Sequence, residues 1–564
     1  MNGLVLLVIS AVVLGCAYLI YGKFLAKTWG IDPSCKTPAV ELEDGMDYVP
    51  TSPSVVFGHE FASIAGAGPI NGPIIAAMFG WLPVLLWLLF GSVFFGAAHD
   101  FAALYTSVKN KGKSIGYVIE LYVGKAGKRF FLVFVWLFSI LIAAAFADIV
   151  ARTFTGIGEH GEVIGTNASV ASTSGFFILA AIGLGFLIRK RKASDLASGI
   201  IAIDLLIVCI VLGFFFPLYF SKPIFLYLVF AYIFIASAVP VWALGQPRNY
   251  LNSFLLIAMI IAAFIGVVFT SPPIAIPAIT GFTSGENYLF PMLFTTIACG
   301  AISGFHSLVA TGAASKQIRS ERHMLPISYG AMLVETLVAV LALIAVGSLA
   351  RGGVLPAEPP TLVFATAVSG FLYHLGLPSQ VSFTIVSLAV SSFVLTTLDT
   401  VARLGRLSFQ ELFADYKKPK EKTGMIKNLL FTIPGNKFFA SVFTLAAAYL
   451  LATMGYQSIW TLFGSANQLL AALTLIACIM FFKKTGRRFF MLVIPTLIML
   501  AVTYSSLGIT LWKKYRLFRS GMFNPAVDGL QSVIAALLLV LGILVALSCG
   551  IKILEKEHSK QTTV

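Results

Sequence analysis

The chain is short of charge: only 11% of its 564 residues are charged, while 58% are hydrophobic. A soluble domain carries roughly a quarter charged residues. A chain this poor in charge cannot dress a water-facing surface, so lipid is its main solvent. Acid is scarcer than base, 24 Asp and Glu against 39 Lys and Arg, for a net charge of +15. That excess does not point to nucleic acid. The basic residues sit in short clusters between apolar runs, which is the pattern of the positive-inside bias. Five of the six cysteines (Cys16, Cys209, Cys299, Cys478 and Cys549) lie inside apolar runs, and Cys35 alone is in a polar loop. Without C-x-x-C or zinc spacing there is neither a disulfide framework nor a metal site to read. No G-x-x-x-x-G-K-[ST] and no G-x-G-x-x-G after a strand occurs, which argues against an ATP-driven pump unless a partner subunit supplies the nucleotide site. The lack of H-E-x-x-H, or of any convergent nucleophile and base, argues against a membrane-embedded enzyme.

Apolar runs of spanning length fill the rest. They cover 3–21, 55–79, 81–106, 130–150, 173–189, 197–217, 224–244, 253–271, 290–315, 326–350, 380–402, 437–453, 456–482, 489–511 and 531–552. About 20 apolar residues cross the hydrocarbon core as a helix. The pattern therefore predicts an all-α membrane protein of about fifteen spanning helices. Four regions follow: an N-terminal helix and cytoplasmic loop (1–54), a transporter core (55–402), a basic cytoplasmic loop (403–436) and a C-terminal transmembrane region (437–564). Gly3 to Tyr21 has no basic segment before it and reads as a retained helix rather than a cleaved signal.

Loop charges orient the spans. Lys109 to Arg129, Arg189 to Lys192, Lys316 to Arg322, Arg403 to Lys427 and Lys483 to Arg488 are the basic clusters, and all are expected to be cytoplasmic. The parity then places the N-terminus outside and the C-terminus inside, provided that 361–376 is re-entrant or half-buried. The basic run Lys513 to Arg519 becomes external, the one exception to the rule.

Two spans are punctuated. Gly58 to Pro73 reads GHEFASIAGAGPINGP, and Cys299 to Ser307 reads CGAISGFHS. Glycine and proline at this density break a helix, and the freed backbone groups are tolerated only where protein encloses them. The two segments are expected in opposed orientations, which points to an inverted-repeat transporter with two discontinuous helices and a mid-membrane site. In a five-plus-five arrangement, spans 224–244 and 253–271 would be an insertion between the repeats.

Ionisable groups at membrane depth are expensive and mark pathways or proton relays. The ion-coupling candidates are His59 and Glu60, His99 and Asp100, and Asp399 with the hydroxyls of Thr396 and Thr397. His99 and Asp100 are adjacent and point about 100° apart, so they need not touch. Asp148 with Arg152, and Asp399 with Arg403, are spaced for intrahelical ion pairs. Asp204 and Glu335 have no partner within a turn. The substrate-binding candidates are Gly66, Gly68, Asn71 and Gly72, then Ser303, His306 and Ser307. Glycines admit close backbone approach, a half-helix N-terminus offers N–H groups to an anion, and Ser303, Ser307 and Thr311 share a helix face. Asn467 and Gln468 are an amide pair inside an apolar run. For the glycines, the competing role is tight helix packing.

At these residues the chain resembles the carbon starvation protein A (CstA) family. The stretch GHEFASIAGAGPINGP looks like that family's signature, and it continues through Gly80-Trp81-Leu82-Pro83 and Ala98-His99-Asp100-Phe101. Gly304-Phe305-His306-Ser307 with Lys316-Gln317-Ile318, Thr396-Thr397-Leu398-Asp399-Thr400 with Arg403, and Ala466-Asn467-Gln468-Leu469-Leu470 follow in order. The resemblance implies a multi-pass transporter similar to the amino acid–polyamine–organocation superfamily. It also implies a place in nutrient scavenging during carbon starvation, by peptide transport or proton-coupled pyruvate import. The chain is shorter than the long enterobacterial members. Where the family usually shows Ser-Ser-Gly-Thr-Thr-Pro before Lys-Gln-Ile, this chain has Ala310-Thr311-Gly312-Ala313-Ala314-Ser315, a change beside the second break that bears on substrate or coupling ion.

These readings predict a secondary active importer of a small carboxylate or a short peptide in a cell inner membrane. It would couple to H+, or alternatively Na+, with no cofactor and no nucleic acid partner. A nutrient sensor using the same pocket without net flux is the alternative.

Overall fold

The computed structural model describes every residue except 46, 192–194, 240–244, 414–434 and 555–564. Among the described residues its regular secondary structure is helical apart from one short hairpin, in which two-residue β1 (Thr283–Ser284) pairs antiparallel with two-residue β2 (Asn287–Tyr288). In chain order the helices are α1 (Gly3–Trp29), α2 (Pro53–Ile64), α3 (Gly68–Ala76), α4 (Trp81–Lys109), α5 (Ile115–Val123) and α6 (Lys125–Phe154). Then come α7 (Gly165–Arg191), α8 (Asp195–Phe215), α9 (Lys222–Ala238), α10 (Gly245–Thr270), α11 (Leu289–Thr296) and α12 (Gly304–Gly312). The last are α13 (Glu321–Leu349), α14 (Pro360–Tyr373), α15 (Ser379–Leu412), α16 (Lys437–Ala452), α17 (Tyr456–Lys484), α18 (Phe490–Arg519) and α19 (Pro525–Lys552).

Among the described residues, ten helices are long and apolar enough to cross a membrane, α2 with its continuation through Phe79 forms one bent pair, and four apolar helices are shorter. A helix satisfies its own backbone, which is why apolar sequence in lipid takes this form. The apolar stretch of α17 is wholly buried, and those of α6, α13 and α15 are mostly buried. These four make the centre. Around them, α1, α10 and α19 turn large apolar side chains such as Ile20, Phe269 and Leu547 outward, as a lipid-facing shell must.

The basic clusters meet at one end. Val49 N–H donates to the Lys316 carbonyl, Tyr48 Oη to the Lys111 carbonyl, and Trp29 Nε1 to the Arg488 carbonyl. Lys109 pairs with Glu321, and Lys128 bridges Glu120 and Glu411. At the opposite end the N-terminus meets the 272–280 segment, through Gly3 N–H to Pro272 and Ile274 N–H to Met1. Asp148 there gathers Arg152 at 2.9 Å, Lys222 at 2.6 Å and the Tyr456 N–H at 2.8 Å. The Asp148–Arg152 pair expected from spacing is present, extended by two groups from other helices.

Five boundaries differ most from the sequence reading; two of them are the start of α7, at Gly165 rather than 173, and the end of α15, at Leu412, so that 403–412 is helix and not part of the basic loop. The first helix runs on to Trp29 through a π-helical turn at Tyr18–Gly22. Helix α10 begins at Gly245, so 245–252 is helix and not connection. Helix α18 extends to Arg519, so the basic run Lys513 to Arg519 is helical. The stretch 361–376 is helical as far as Tyr373, within α14, whose Thr361 hydroxyl is 3.3 Å from that of Thr153, near the end of α6. Phe371 near the other end of α14 packs on Gly266, close to the end of α10.

Close helix contacts depend on absent side chains. A Cβ on Gly464 of α17 would overlap the Thr295 carbonyl of α11, and one on Gly304 would stand 2.5 Å from Ala471 N and the Asn467 carbonyl oxygen. Gly175 in α7 faces open space. Gly464→Ala is therefore expected to lose about 1–3 kcal/mol through overpacking, while Gly175→Ala is neutral or slightly stabilising. Heating the two detergent-solubilised variants and measuring the fraction still monodisperse by size-exclusion chromatography checks this.

Candidate functional site

Two helix breaks face one another at the heart of the bundle. The first follows α2. Ala65 leaves helical geometry at φ −74°, ψ 56°, and the chain bends by 44° before α3 continues it. Pro69 lies at the start of α3 and Pro73 inside it, so Pro73 has no N–H to return to the Pro69 carbonyl. The second break divides its span into α11, a single turn at Ala298–Ala301, and α12, with Ile302 and Ser303 extended between them. The first span runs from the basic end toward the opposite end, and the second runs back, so the two are antiparallel.

Glycine lets the breaks touch. A Cβ on Gly72 would stand 2.7 Å from the Thr296 carbonyl oxygen, one on Gly68 would overlap the Cys299 side chain, and one on Gly66 would stand 2.8 Å from Thr397 Oγ1. All three predicted glycines thus make close protein contacts. Asn71, on the same short helix, is fully buried, and neither its Oδ1 nor its Nδ2 has a hydrogen-bond partner.

The second break is held by one amide. Asn467 Oδ1 accepts from the Phe305 N–H at 3.1 Å and from Ser303 Oγ at 3.2 Å, while Nδ2 reaches Cys299 Sγ at 3.3 Å and Ser303 Oγ at 3.1 Å. Ser307 Oγ meets Thr474 Oγ1 at 2.9 Å. The stripe of Ser303, Ser307 and Thr311 therefore faces α17, where Ser303 and Ser307 are bonded to protein.

His306, placed among the substrate candidates by sequence, stands in a chain of charge. Asp100 Oδ1 is 2.8 Å from His99 Nδ1, and Oδ2 is 2.9 Å from His306 Nδ1. An ionised carboxylate only accepts, so with Asp100 ionised both Nδ1 atoms carry the proton. On its far side His306 Nε2 lies 3.2 Å from Glu335 Oε2, within ion-pair distance but without hydrogen-bond alignment. All four groups are buried. Glu60, also buried, is within coulombic reach of Asp100 and His306. The adjacent pair does touch, and Glu335 finds its partner on another helix. His59 bonds Ser63 on its own helix, at 3.2 Å, and stays outside the chain. Asp204 is exposed on α8.

The other acid departs from expectation. Asp399 Oδ2 is 2.9 Å from Arg248 Nη1 and accepts from Tyr232 Oη at 3.0 Å. Arg403, its expected partner, donates instead to the Ala236 carbonyl at 2.9 Å. Tertiary approach of α10 and α9 to α15 supplies Asp399 with a cation that lies beyond its own helix. Thr396 Oγ1 accepts from Asn252 Nδ2. Sequence reasoning missed Arg248, Tyr232 and Asn252. The available signal was the four-residue spacing of Arg248 and Asn252, which puts both on one helix face.

The fold and site define a polytopic helical membrane protein with two discontinuous, antiparallel helices in contact and a buried chain of acids and histidines beside them. The family model for carbon starvation protein CstA matches residues 2–360 and 353–506. The chain belongs to that family. It is 33% identical to the peptide transporter CstA of Bacillus subtilis, over 97% of this chain and 96% of that one. It is 30% identical to the pyruvate/proton symporter BtsT of Escherichia coli, over 94% of this chain and 83% of that one. Both names are those of transporters, not of enzymes. A solved manganese transporter from Eremococcus coleocola is 12% identical, covers 91% of this chain and 99% of its own, and aligns with a TM-score of 0.44, too loose a likeness to carry an argument.

Truncating the amide that holds the second break leaves the Phe305 N–H and Ser303 buried without their partner. Asn467→Ala is expected to cost about 1–3 kcal/mol of stability, read as a lowered Tm of the detergent-solubilised protein. Thermal unfolding followed by tryptophan fluorescence measures it.

Proposed function

We propose that this chain is a secondary active importer coupled to protons, carrying a small carboxylate such as pyruvate or a short peptide in nutrient scavenging. The observation that carries this reading is the buried chain His99–Asp100–His306–Glu335 beside the contact of the two broken helices. Histidine changes charge near physiological pH. Two acids sharing it inside the membrane make a group that can gain a proton on one side and release it on the other. Asn71, with both amide atoms unpartnered, offers a donor and an acceptor to the substrate. Protons are favoured over Na+ because Asp399, the acid flanked by the Thr396 and Thr397 hydroxyls, already faces a guanidinium, which repels a metal cation. The names of relatives support both substrate classes, one as a peptide transporter and one as a pyruvate/proton symporter.

The same proposal takes fifteen crossings, counting the bent pair, the three pieces from Leu289 to Gly312 and three shorter helices, with α14 not crossing. Inverted-repeat ancestry of the two broken spans belongs to it. Positive-inside bias puts the clustered basic end in the cytoplasm of an inner membrane, with the N-terminus outside and the C-terminus inside. Cys35 is exposed and lies near that end, where the Asp32 N–H meets Glu321. A membrane-impermeant maleimide is expected to leave Cys35 unlabelled in intact cells and to label it after permeabilisation. A Val354→Cys variant, at the other end and 72% exposed, is expected to label from outside.

Uptake of labelled pyruvate and a labelled dipeptide into proteoliposomes, with imposed proton or sodium gradients, tests the function. Accumulation driven by a proton gradient is expected for one of the two. Asn71→Ala is expected to raise KM roughly ten- to a hundredfold, the equivalent of about 1.5–3 kcal/mol for a hydrogen bond to a charged group. His306→Ala is expected to abolish accumulation. Uptake that follows sodium alone, or no gradient-driven uptake of either compound, overturns the reading.

A further inference from the structure

The described residues contain a second buried charge that the acid–histidine chain does not use. Arg248 sits in α10 and is 1% exposed. Its Nη1 is 2.9 Å from Asp399 Oδ2, yet none of Nε, Nη1 and Nη2 makes an aligned hydrogen bond. The face of Tyr232 lies 5.5 Å from the guanidinium carbon. A guanidinium has five N–H donors in a planar fork, and the acceptor that satisfies a fork is a second planar group with two oxygens. Asp399 brings a carboxylate within ion-pair distance, but no described residue gives the fork an aligned pair of acceptors, and an incompletely met buried charge is costly.

The acceptors around it are also incomplete. Asp399 Oδ1 and Asn252 Oδ1 are buried without partners. Arg403 and Arg406 are held by backbone carbonyls of α9, at 2.9 and 2.7 Å, rather than by acids. Asp399 is thus the one acid paired to Arg248 among the described residues, and Arg403 is also within coulombic reach of it. The place also adjoins the first break. Thr397 abuts Gly66, and Thr396, its neighbour, bonds Asn252 on the face that carries Arg248.

We propose that Arg248 is the anchor for the carboxylate of the transported substrate, with Asp399 as its counter-ion in the empty state. This rests on the substrate's being a carboxylate, the one group that pyruvate and a peptide C-terminus share. When substrate arrives, its carboxylate takes the fork of Arg248, and Asp399 takes up a proton and becomes neutral. One negative charge faces the guanidinium before and after, so the exchange leaves the net charge of the buried site unchanged. Release reverses the exchange: Asp399 gives up its proton and pairs with Arg248 again. Tyr232 Oη and the hydroxyls of Thr396 and Thr397 stay beside Asp399 throughout.

The test measures binding and transport on the full chain, with pyruvate, alanyl-alanine and their uncharged amides as probes. In wild type, the free acids are expected to compete with the carried substrate and the amides are not. Arg248→Gln is expected to raise the half-saturating concentration of the acid by roughly a hundredfold or more, and Arg248→Lys to recover part of that loss. Asp399→Asn is expected to keep acid binding while removing the part of its pH dependence that Asp399 contributes. The double variant Arg248→Gln with Asp399→Asn removes both charges, so its monodispersity separates a lost anchor from a lost fold. Arg248→Gln that folds and binds the acid within about threefold of wild type overturns the anchor, as do amides that compete as well as acids. If wild type shows no uptake but the acids raise its Tm in an Arg248-dependent way, the transport reading fails and the anchor stands. If the acids neither bind nor move, both fail.

Discussion

A charge inside a bilayer needs its countercharge inside the protein, and Asp100 is where that requirement shapes this molecule. Its two oxygens take His99 from its own helix and His306 from the helix beyond the second break. For His306 to reach Asp100, α12 must leave the line of α11, so the chain opens at Ile302 and Ser303. Opening a helix at that depth frees a backbone N–H that lipid cannot satisfy, and Asn467 accepts it from the central helix α17. The histidine pair, the break and the amide form one dependent set. Removing any member leaves another buried polar group without a partner.

Packing and polar chemistry share the same short segment of sequence. In the stretch from Gly66 to Pro73, the glycines bring backbone against Thr397, Cys299 and Thr296, while Asn71 keeps both amide atoms free. The close approach makes the walls and the unpartnered amide makes the opening for a ligand. A segment that is rigid on three faces and unsatisfied on the fourth is what a binding site between broken helices requires.

What the sequence disclosed follows the range of the interaction. Both breaks were legible, because glycine and proline interrupt a helix by local geometry. So was the Asp148–Arg152 pair, four residues apart on one helix. Pairings across helices were not. His306 and Glu335 are 29 residues apart, and only folding turns one toward the other. Asp399 offered a local cation in Arg403 and took a distant one in Arg248, from a stretch whose polar residues and Pro247 read as a connection. Asn467 was visible as an amide in apolar surroundings, but the break that it holds was not visible from its own neighbours. The bonds of Ser303 and Ser307 to α17 were not legible for the same reason: a polar stripe has the same spacing whether it faces a pore or a helix.

The claim at the centre is that the Asp100 chain binds a proton together with substrate. Adding substrate to purified protein in weakly buffered detergent solution, with a pH indicator, measures this directly. Proton uptake on substrate binding in wild type, reduced in an Asp100→Asn variant that still binds substrate to the share that Asp399 takes up, is the predicted result. Uptake that persists unchanged in Asp100→Asn, or substrate binding in wild type without any proton uptake from pH 5 to 8, the range in which histidine titrates, would contradict it.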